Sequence, residues 1–521
     1  MSRTGPPWPV IVPVALAGGV ATTFAFTPTG ILAFAILGPA MGLWAFAQAR
    51  TGRHGAVAGM TYGLAFTFVA YRWMLEVDLV AYVVLSLLQA VFWSFIGVVA
   101  ARAAHLRPAR WVVAVTAAWT LVEAVRSRFP MSGFEWGQLS LATADTPLRP
   151  ATAIIGALGV TGVLVALAAG AAVVVLDRRP RSVVPLAVGT ITLAALVGLG
   201  AQAWTTPDGT LRVAVVQSHN PCPRAFAEDC PGYTDDLLNT YVAGTSALPT
   251  RPDLILWGED ALLSGDTLDA VGQQFVDRFG PLPAPLLAGT ATSAAPGRFF
   301  RQAALFDRDG ESLDAYAKRL PVPFGEYVPL RDLLGGISDV NRLVPSDMMP
   351  GRDPSPVVVP TAGDPAMLGT VVSWEVTFSR LVRDVGRHAN GLATLTTVSS
   401  YGRSSAPDQL LDAAQLRAAE QQKPMVVAAT TGRSAVISPT GEVVAATALL
   451  QADSLTATMP LRAGLTPFGR TGDLPVVLLA VVALAFVAVR SGLTGDAVSG
   501  AESVSPPPAA DAEPVDSTVP R

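Results

Sequence analysis

Three apolar runs in this chain end on side chains of the kind that carry chemistry. DLILW (253–257) closes into Gly258, Glu259 and Asp260. Tyr316-Ala317-Lys318 follows a hairpin pattern and opens into PVPFGEYVP (321–329), which holds Glu326. LGTVV closes into Ser373, Trp374 and Glu375. In layered α/β sheets, sites gather just past the carboxyl ends of strands, so the polar residues that close apolar runs are the candidates. Carboxylates, an ammonium and a hydroxyl at such ends are the groups that move protons, meet developing negative charge and attack acyl carbon. A lone Glu or Lys at a strand end is usually no more than solvated. Three such ends in one region, one beside a Pro- and aromatic-rich loop, raise the case for a shared site. Trp374 suits either the wall of a pocket or the core, and an aromatic beside a strand end is more often core.

The elements that must position these residues follow from the apolar pattern. Short runs alternate with amphipathic stretches between 205 and 468. LRVAVVQ (211–217), DLILW (253–257), PLLAGT (285–290), AALFDRDG (303–310), MLGTVVS (367–373), LATLTTV (392–398) and PMVVAAT (424–430) read as strands. Helical patterns lie at 232–247, 266–278, 376–389 and 408–421. Strand–helix alternation with near-continuous apolar strands predicts a sheet covered on its faces.

The remainder is of a different composition. The 521 residues are 51% hydrophobic and 15% charged, with a mean hydropathy of +0.44, which excludes a wholly water-soluble protein. Apolar stretches near 10–26, 30–48, 55–73, 79–101, 110–126, 151–176, 183–203 and 472–490 each approach the roughly 20 residues a helix needs to cross a bilayer. The first is read as a retained anchor, since it lacks a basic start and a small-residue cleavage site and a second span follows at once. If the spans alternate, Arg3, Arg50, Arg53, Arg102, Arg107, Arg110, Arg178, Arg179, Arg181 and Arg490 fall on one side, against Arg72, Arg126, Arg128 and Arg149 on the other. The positive-inside rule then puts both termini in the cytoplasm and the 205–468 region outside. Residues 492–521, rich in Ser, Pro, Ala, Asp and Glu, read as a disordered cytoplasmic tail. Glu123 and Arg126, near the end of the fifth span, are expected to form an ion pair that holds the outer loop.

Other chemistries find little support. A net charge of −4, from 36 Lys+Arg and 40 Asp+Glu, leaves no electrostatic footprint for nucleic acid. Two cysteines, Cys222 and Cys230, are too few for a disulfide framework or a four-ligand zinc site; a small local bridge and a pair of free thiols both stay open. No metal site, no nucleotide-binding Gly-rich loop and no cofactor are expected. Of the four histidines, His54 and His105 fall in cytoplasmic loops, His219 follows the first strand, and the helix after Ser373 should carry His388 away from it.

The segments WGED (257–260), YAKRLPVPFGEYVPL (316–330), SWEVTFSRLVRD (373–384), YGRSSAP (401–407) and LRAAEQQKPMVVAATTGRSAVISPTGEV (416–443) resemble, in order, the signatures of apolipoprotein N-acyltransferase, a membrane-anchored family of the nitrilase superfamily. FTPTGILAFAILGPAMGL (26–43), VEAVRSRFPMSGFEW (122–136) and GALGVTG (156–162) resemble its membrane part. The resemblance runs from about residue 10 to 490. It implies a polytopic helical bundle of eight spans carrying an extracytoplasmic αββα nitrilase-like domain. The implied organisation is seven transmembrane helices in 1–204, a nitrilase-like (carbon-nitrogen hydrolase) domain in 205–468, an eighth helix in 469–491, and the tail. The implied activity moves an acyl chain from a phospholipid to the N-terminal diacylglyceryl-cysteine of a lipoprotein at the outer face of the cytoplasmic membrane. Glu259 then matches the general base, Lys318 the lysine that stabilises the tetrahedral oxyanion, and Glu326 and Glu375 the accessory glutamates.

The sequence departs from the family at the nucleophile, where Ser373 stands in place of cysteine. A thiol ionises near a pKa of about 8.5 and an alcohol closer to water's, about 15.7, a gap of roughly seven units or ten kcal/mol at about 1.36 per unit. WPE has also become Trp257-Gly258-Glu259, and the Asn-Asp pair expected before GRSSAP is absent from 398–402. Two function classes follow. The chain is an N-acyltransferase using Ser373, or a catalytically silent paralogue that binds lipid, lipoprotein or a membrane partner such as polyprenyl-phosphate mannose synthase, a pairing suggested by some actinobacterial relatives and by the Ala/Gly/Val/Arg-rich composition.

Overall fold

The computed structural model describes residues 8–177, 179–219, 233–262, 264–334 and 344–491. Cys222, Cys230 and the 492–521 tail lie outside the described residues.

Helices occupy all eight apolar stretches: α1 (Trp8–Thr23), α2 (Phe34–Ala47), α3 (Gly52–Ala70), α4 (Leu79–Arg102), α5 (Pro108–Arg126), α6 (Thr152–Leu176), α7 (Val184–Gly200) and, after the intervening domain, Leu474–Ser491. Among the described residues, three helical stretches, Leu79–His105, Arg149–Leu176 and Pro180–Gly200, are long and apolar enough to cross a membrane. The helices share one core, built on Phe46, Tyr62, Trp93, Trp111 and Trp119. They also turn large apolar side chains outward, among them Val84, Leu87 and Phe95 of α4 and Val188 and Ile191 of α7. Large apolar side chains exposed in such numbers suit lipid rather than water. Gly55 of α3 lies against Gly97 of α4, where a Cβ on either would meet the other's carbonyl. Small residues at a contact let membrane helices pack closely.

Two sheets form the domain between α7 and the last helix. The first has the order β12-β1-β2-β3-β4-β5, from β1 (Thr206–Gln217), β2 (Leu254–Leu256), β3 (Leu286–Ala295), β4 (Arg298–Phe306), β5 (Ser312–Ala317) and β12 (Asp453–Ala463). A two-residue strand, Asp347–Met348, pairs beside β4. The second has the order β11-β10-β9-β8-β7-β6, from β6 (Val357–Val359), β7 (Ala366–Val372), β8 (Gly391–Thr396), β9 (Met425–Ala429), β10 (Ala435–Ile437) and β11 (Val443–Ala446). Side chains alternate across a strand, so Leu254 and Leu256 pack between the sheets while Ile255 faces outward. That outward face is covered by α8 (Tyr233–Ser246) and α9 (Leu268–Phe279). The second sheet is covered by α10 (Ser379–Gly386), through Leu381, Val382 and Val385, and by α11 (Ala406–Gln421), through Leu410, Ala414 and Ala418. The result is an αββα sandwich, and the Leu474–Ser491 helix that returns after it is α12.

Several boundaries differ from the sequence expectation, each for a physical reason. The strand expected at 303–310 starts at Arg298 and ends at Phe306, because Asp307 Oδ1 accepts from the Asp309 and Glu311 amides and closes a turn. β1 begins five residues before Leu211, paired to β12, which the apolar pattern missed because only Met459 and Leu461 along it are buried. The helix expected at 376–389 is split into a 3-10 turn, Ser373–Thr377, and α10.

Candidate active site

The three strand ends meet on one side of the sandwich. β2 delivers Glu259, β5 delivers Lys318, and β7 ends at Val372, directly before Ser373. Glu259 is fixed through its backbone: its amide donates to the Thr396 carbonyl at 3.3 Å, and its carbonyl accepts from Thr430 Oγ1 at 2.6 Å. The close approach explains Gly258, where a Cβ would strike Thr430, and Gly289, where one would strike Glu259.

The buried side chains form a ring of alternating charge. Lys318 Nζ lies 2.7 Å from Glu326 Oε1 and 3.4 Å from Glu259 Oε1. Glu326 Oε2 also accepts from the Val322 amide at 2.8 Å, and Glu259 Oε2 from the Thr397 amide at 3.0 Å. A second cation completes the ring: Arg301 Nε is 3.2 Å from Glu326 Oε1, its Nη1 is 3.5 Å from Glu259 Oε1, and Nη1 also pairs with Asp260. Burial pushes both carboxyls up, and the cations oppose it. Glu326 takes the shorter contacts and ends below the usual range; Glu259, with the longer ones, stays above it. Burial acts to lower Lys318, but Glu326 and then Glu259 outweigh it and raise its value. Of the two ring carboxylates, Glu259 is therefore the better proton acceptor.

Glu375 braces the site rather than joining the ring. Its Oε1 accepts from the Arg319 and Leu320 amides at 2.7 and 2.8 Å; its Oε2 accepts from the Val372 amide at 2.9 Å and the Tyr316 hydroxyl at 3.0 Å. One buried carboxylate thus ties the backbone after Lys318 to the backbone before Ser373. Ser373 itself is half-buried with a φ of +59°, in the left-handed region that few side chains adopt. Its hydroxyl makes no hydrogen bond among the described residues. Trp374 is buried in the core, its Nε1 donating to the Leu320 carbonyl at 2.8 Å and its ring edge-on to Phe378. His388 is exposed beyond the end of α10.

Segments between the bundle helices reach this site through aromatic rings. Tyr401 lies close enough to feel the charges of Glu259 and Glu326, which, after burial, raise its hydroxyl above the ordinary value. It meets Trp73 edge-on at 5.2 Å, and Trp73 stacks on Trp136 at 4.4 Å. Trp136 is held by Arg126, whose Nη1 donates to the Phe134 and Trp136 carbonyls at 2.8 and 2.9 Å while Nη2 pairs with Glu123 at 2.7 Å. The expected Glu123–Arg126 pair is present and holds the 127–137 loop as anticipated. Sequence reasoning missed Arg301 and Tyr401. The signal for Arg301 lay in the hairpin: pairing Gln302 with Ala317 sets Arg301 opposite Lys318.

Both parts of the chain match described protein families. The family description "Apolipoprotein N-acyltransferase N-terminal domain" matches residues 18–170, and "Carbon-nitrogen hydrolase" matches 283–464. Glu259 falls between the two matches, yet β2 joins it to the same sheet as β3 and β4. The apolipoprotein N-acyltransferase of Chromobacterium violaceum is 28% identical over 489 residues, 90% of this chain and 91% of that protein. That of Methylococcus capsulatus is 28% identical over 492 residues, covering 89% and 93%. Among solved structures, a nitrilase-superfamily amidase from Nesterenkonia matches 52% of this chain and 97% of its own at 18% identity, with a TM-score of 0.35. Carrying the family's N-terminal domain ahead of a carbon-nitrogen hydrolase domain, the chain is a homologue of the apolipoprotein N-acyltransferases along almost its whole length.

Proposed function

We propose that this protein is a lipoprotein N-acyltransferase of the cytoplasmic membrane, with Ser373 as its nucleophile. The observation that carries the reading is the buried Lys318, 3.4 Å from Glu259 and 2.7 Å from Glu326, directly before the backbone that Glu375 ties to the Ser373 turn. In the first half-reaction, Ser373 Oγ attacks the ester carbonyl of a phospholipid as Glu259 takes its proton. Lys318 meets the negative charge on the tetrahedral oxygen. The ester C–O bond breaks, and the lysophospholipid leaves with the proton from Glu259. In the second, the free α-amine of a diacylglyceryl-cysteine attacks the acyl-serine, Glu259 takes a proton from nitrogen and returns it to Ser373, and an amide remains. An alcohol nucleophile must lose its proton during attack rather than before it, since its ionisation is roughly ten kcal/mol harder than a thiol's.

On this reading all eight helices span the membrane. Residues 1–204 hold seven of them, 205–468 the external domain, 469–491 the eighth, and both termini lie in the cytoplasm. The Arg-bearing short loops support this orientation, and a location beside the bilayer suits two lipid substrates.

One observation favours a second reading, a silent paralogue that binds lipid, lipoprotein or a partner such as polyprenyl-phosphate mannose synthase. Glu259 directs both oxygens to other groups, and Ser373 donates to neither. Complementing a strain depleted of N-acyltransferase with the natural protein, Ser373→Ala and Ser373→Cys, and weighing lipoprotein N-termini, separates the two. Triacylated product from the natural protein that disappears with Ser373→Ala supports catalysis. Product from Ser373→Cys alone supports the silent site.

A further inference from the structure

Two carboxylates and one lysine do not balance in a dry site. Glu259 and Glu326 are 2% and 8% exposed and Lys318 is 1% exposed, so water does little to screen them, and a buried charge without a partner is costly. Lys318 is also shared unequally, favouring Glu326 by 0.7 Å in contact distance (3.4 against 2.7 Å). If it were alone, one buried carboxylate would be left to take up a proton, and by distance that carboxylate is Glu259.

Arg301 removes the imbalance. It stands opposite Lys318 across the β4–β5 pairing, where two like charges would ordinarily repel. The two are stable there because Glu259 and Glu326 each contact both cations. Its side chain is 18% exposed and reaches from the ring to Asp260 at the rim, 44% exposed. Asp260 sits at φ +57°. The charged or titratable groups facing Glu259 are thus Lys318 from β5, Arg301 from β4, its neighbour Asp260, Glu326 from the 321–329 loop and Tyr401 from the 399–401 turn.

We propose that Arg301 is a positioning residue of this site, supplying the second positive charge that keeps the buried Glu259 carboxylate ionised and ready to accept a proton. It deepens the acyl-transfer reading and rests on Glu259 being the base there. Asp260 tunes it from the rim by competing for the same guanidinium nitrogen.

The test uses the full-length protein in phospholipid micelles and two readouts. The first is the protonated-carboxyl infrared band between pH 4 and 9, assigned to Glu259 by its loss in Glu259→Gln. Arg301→Gln should move its midpoint up by about one pH unit or more, a tenfold change in the protonated fraction. Arg301→Lys should restore it, and Asp260→Asn should move it down. An unmoved midpoint in Arg301→Gln overturns the proposal. So does a midpoint that moves equally in Arg301→Lys, since charge would not then be what matters. Should Arg301→Gln fail to fold, the downward shift in Asp260→Asn carries the test, and its absence overturns the proposal. The second readout, lysophospholipid release, addresses the acyl-transfer reading alone. No release by the natural protein or by Ser373→Cys, with the infrared shifts intact, removes that reading while leaving the role of Arg301 in place.

Discussion

Ser373 pays for its position in backbone strain, and Glu375 is what enforces it. The left-handed conformation costs a non-glycine residue about 1–2 kcal/mol, and such strain persists where the surroundings over-determine it. Here Glu375 holds the Val372 amide on one side and the Arg319 and Leu320 amides on the other. Ser373→Gly should therefore be more stable than Ser373→Ala by about 1 kcal/mol, while neither transfers an acyl chain; equal melting temperatures would show that the turn is unstrained. Lys318→Ala should cost about 3–5 kcal/mol, because it leaves Glu259 and Glu326 to share Arg301; denaturant unfolding measures it, and a loss below about 1 kcal/mol would mean that the ring contributes little. Each of Glu259, Lys318, Glu326, Ser373 and Glu375 was legible in sequence because it closes or follows an apolar run. Arg301 was not, since it lies inside β4 and only the strand register reveals its partner. The distinction between Glu326 and Glu259 was equally hidden, for it depends on differences of a few tenths of an ångström.

Helices and strands were legible wherever burial was two-sided or continuous, as in β2, β8 and β9, whose residues are all buried. The edge strands were harder: β11 has no buried residue and β12 only two, so neither presents an apolar run. Least legible was the loop between α5 and α6, which wedges between the membrane helices and the helix after Ser373. Glu135 in that loop accepts from the Ser379 amide at 2.9 Å, at the start of α10, with Arg417 of α11 3.9 Å away. Burial, opposed by Arg417, pushes Glu135 up to about 7. Its folded value thus exceeds the unfolded one, about 4.3, so between these limits the folded protein holds a proton that the unfolded chain has released. Stability from this group accordingly falls as pH rises from about 4 to 7, by up to about 4 kcal/mol at about 1.36 per unit. Glu135→Gln should raise the melting temperature at pH 8 and change it little at pH 4.5; the same difference at both pH values would mean that Glu135 does not titrate there.

Over the molecule as a whole, the apolar pattern separated a run of long helices from an α/β region, and the helical bundle and the sandwich are those two parts. With Cys222 and Cys230 replaced by serine, a cysteine at exposed Ser355 should react with a membrane-impermeant maleimide in intact cells. One at Ala109, exposed in the first turn of α5, should react only after permeabilisation; the opposite pattern would invert the proposed orientation. The pairing of β1 with β12 has a mechanical consequence. Thr206 and Ala463 are partners across that pairing, so the chain leaves the bundle and returns to it at points one strand spacing apart, about 4.8 Å. A domain hung from two adjacent tethers resembles a door on one hinge more than a bridge on two piers. Tilting about that line disturbs neither tether, while the far edge, where β4 and β5 carry Arg301 and Lys318, sweeps the longest arc. What holds the domain against that swing is a broad seat on the bundle: Glu420 accepts from the Ala157 amide at 2.8 Å, the Thr440 carbonyl from Arg149 Nε at 2.7 Å and Glu135 from the Ser379 amide at 2.9 Å, while Tyr401 meets Trp73 edge-on at 5.2 Å, so side-chain contacts rather than the chain's two tethers set how the site faces the bundle.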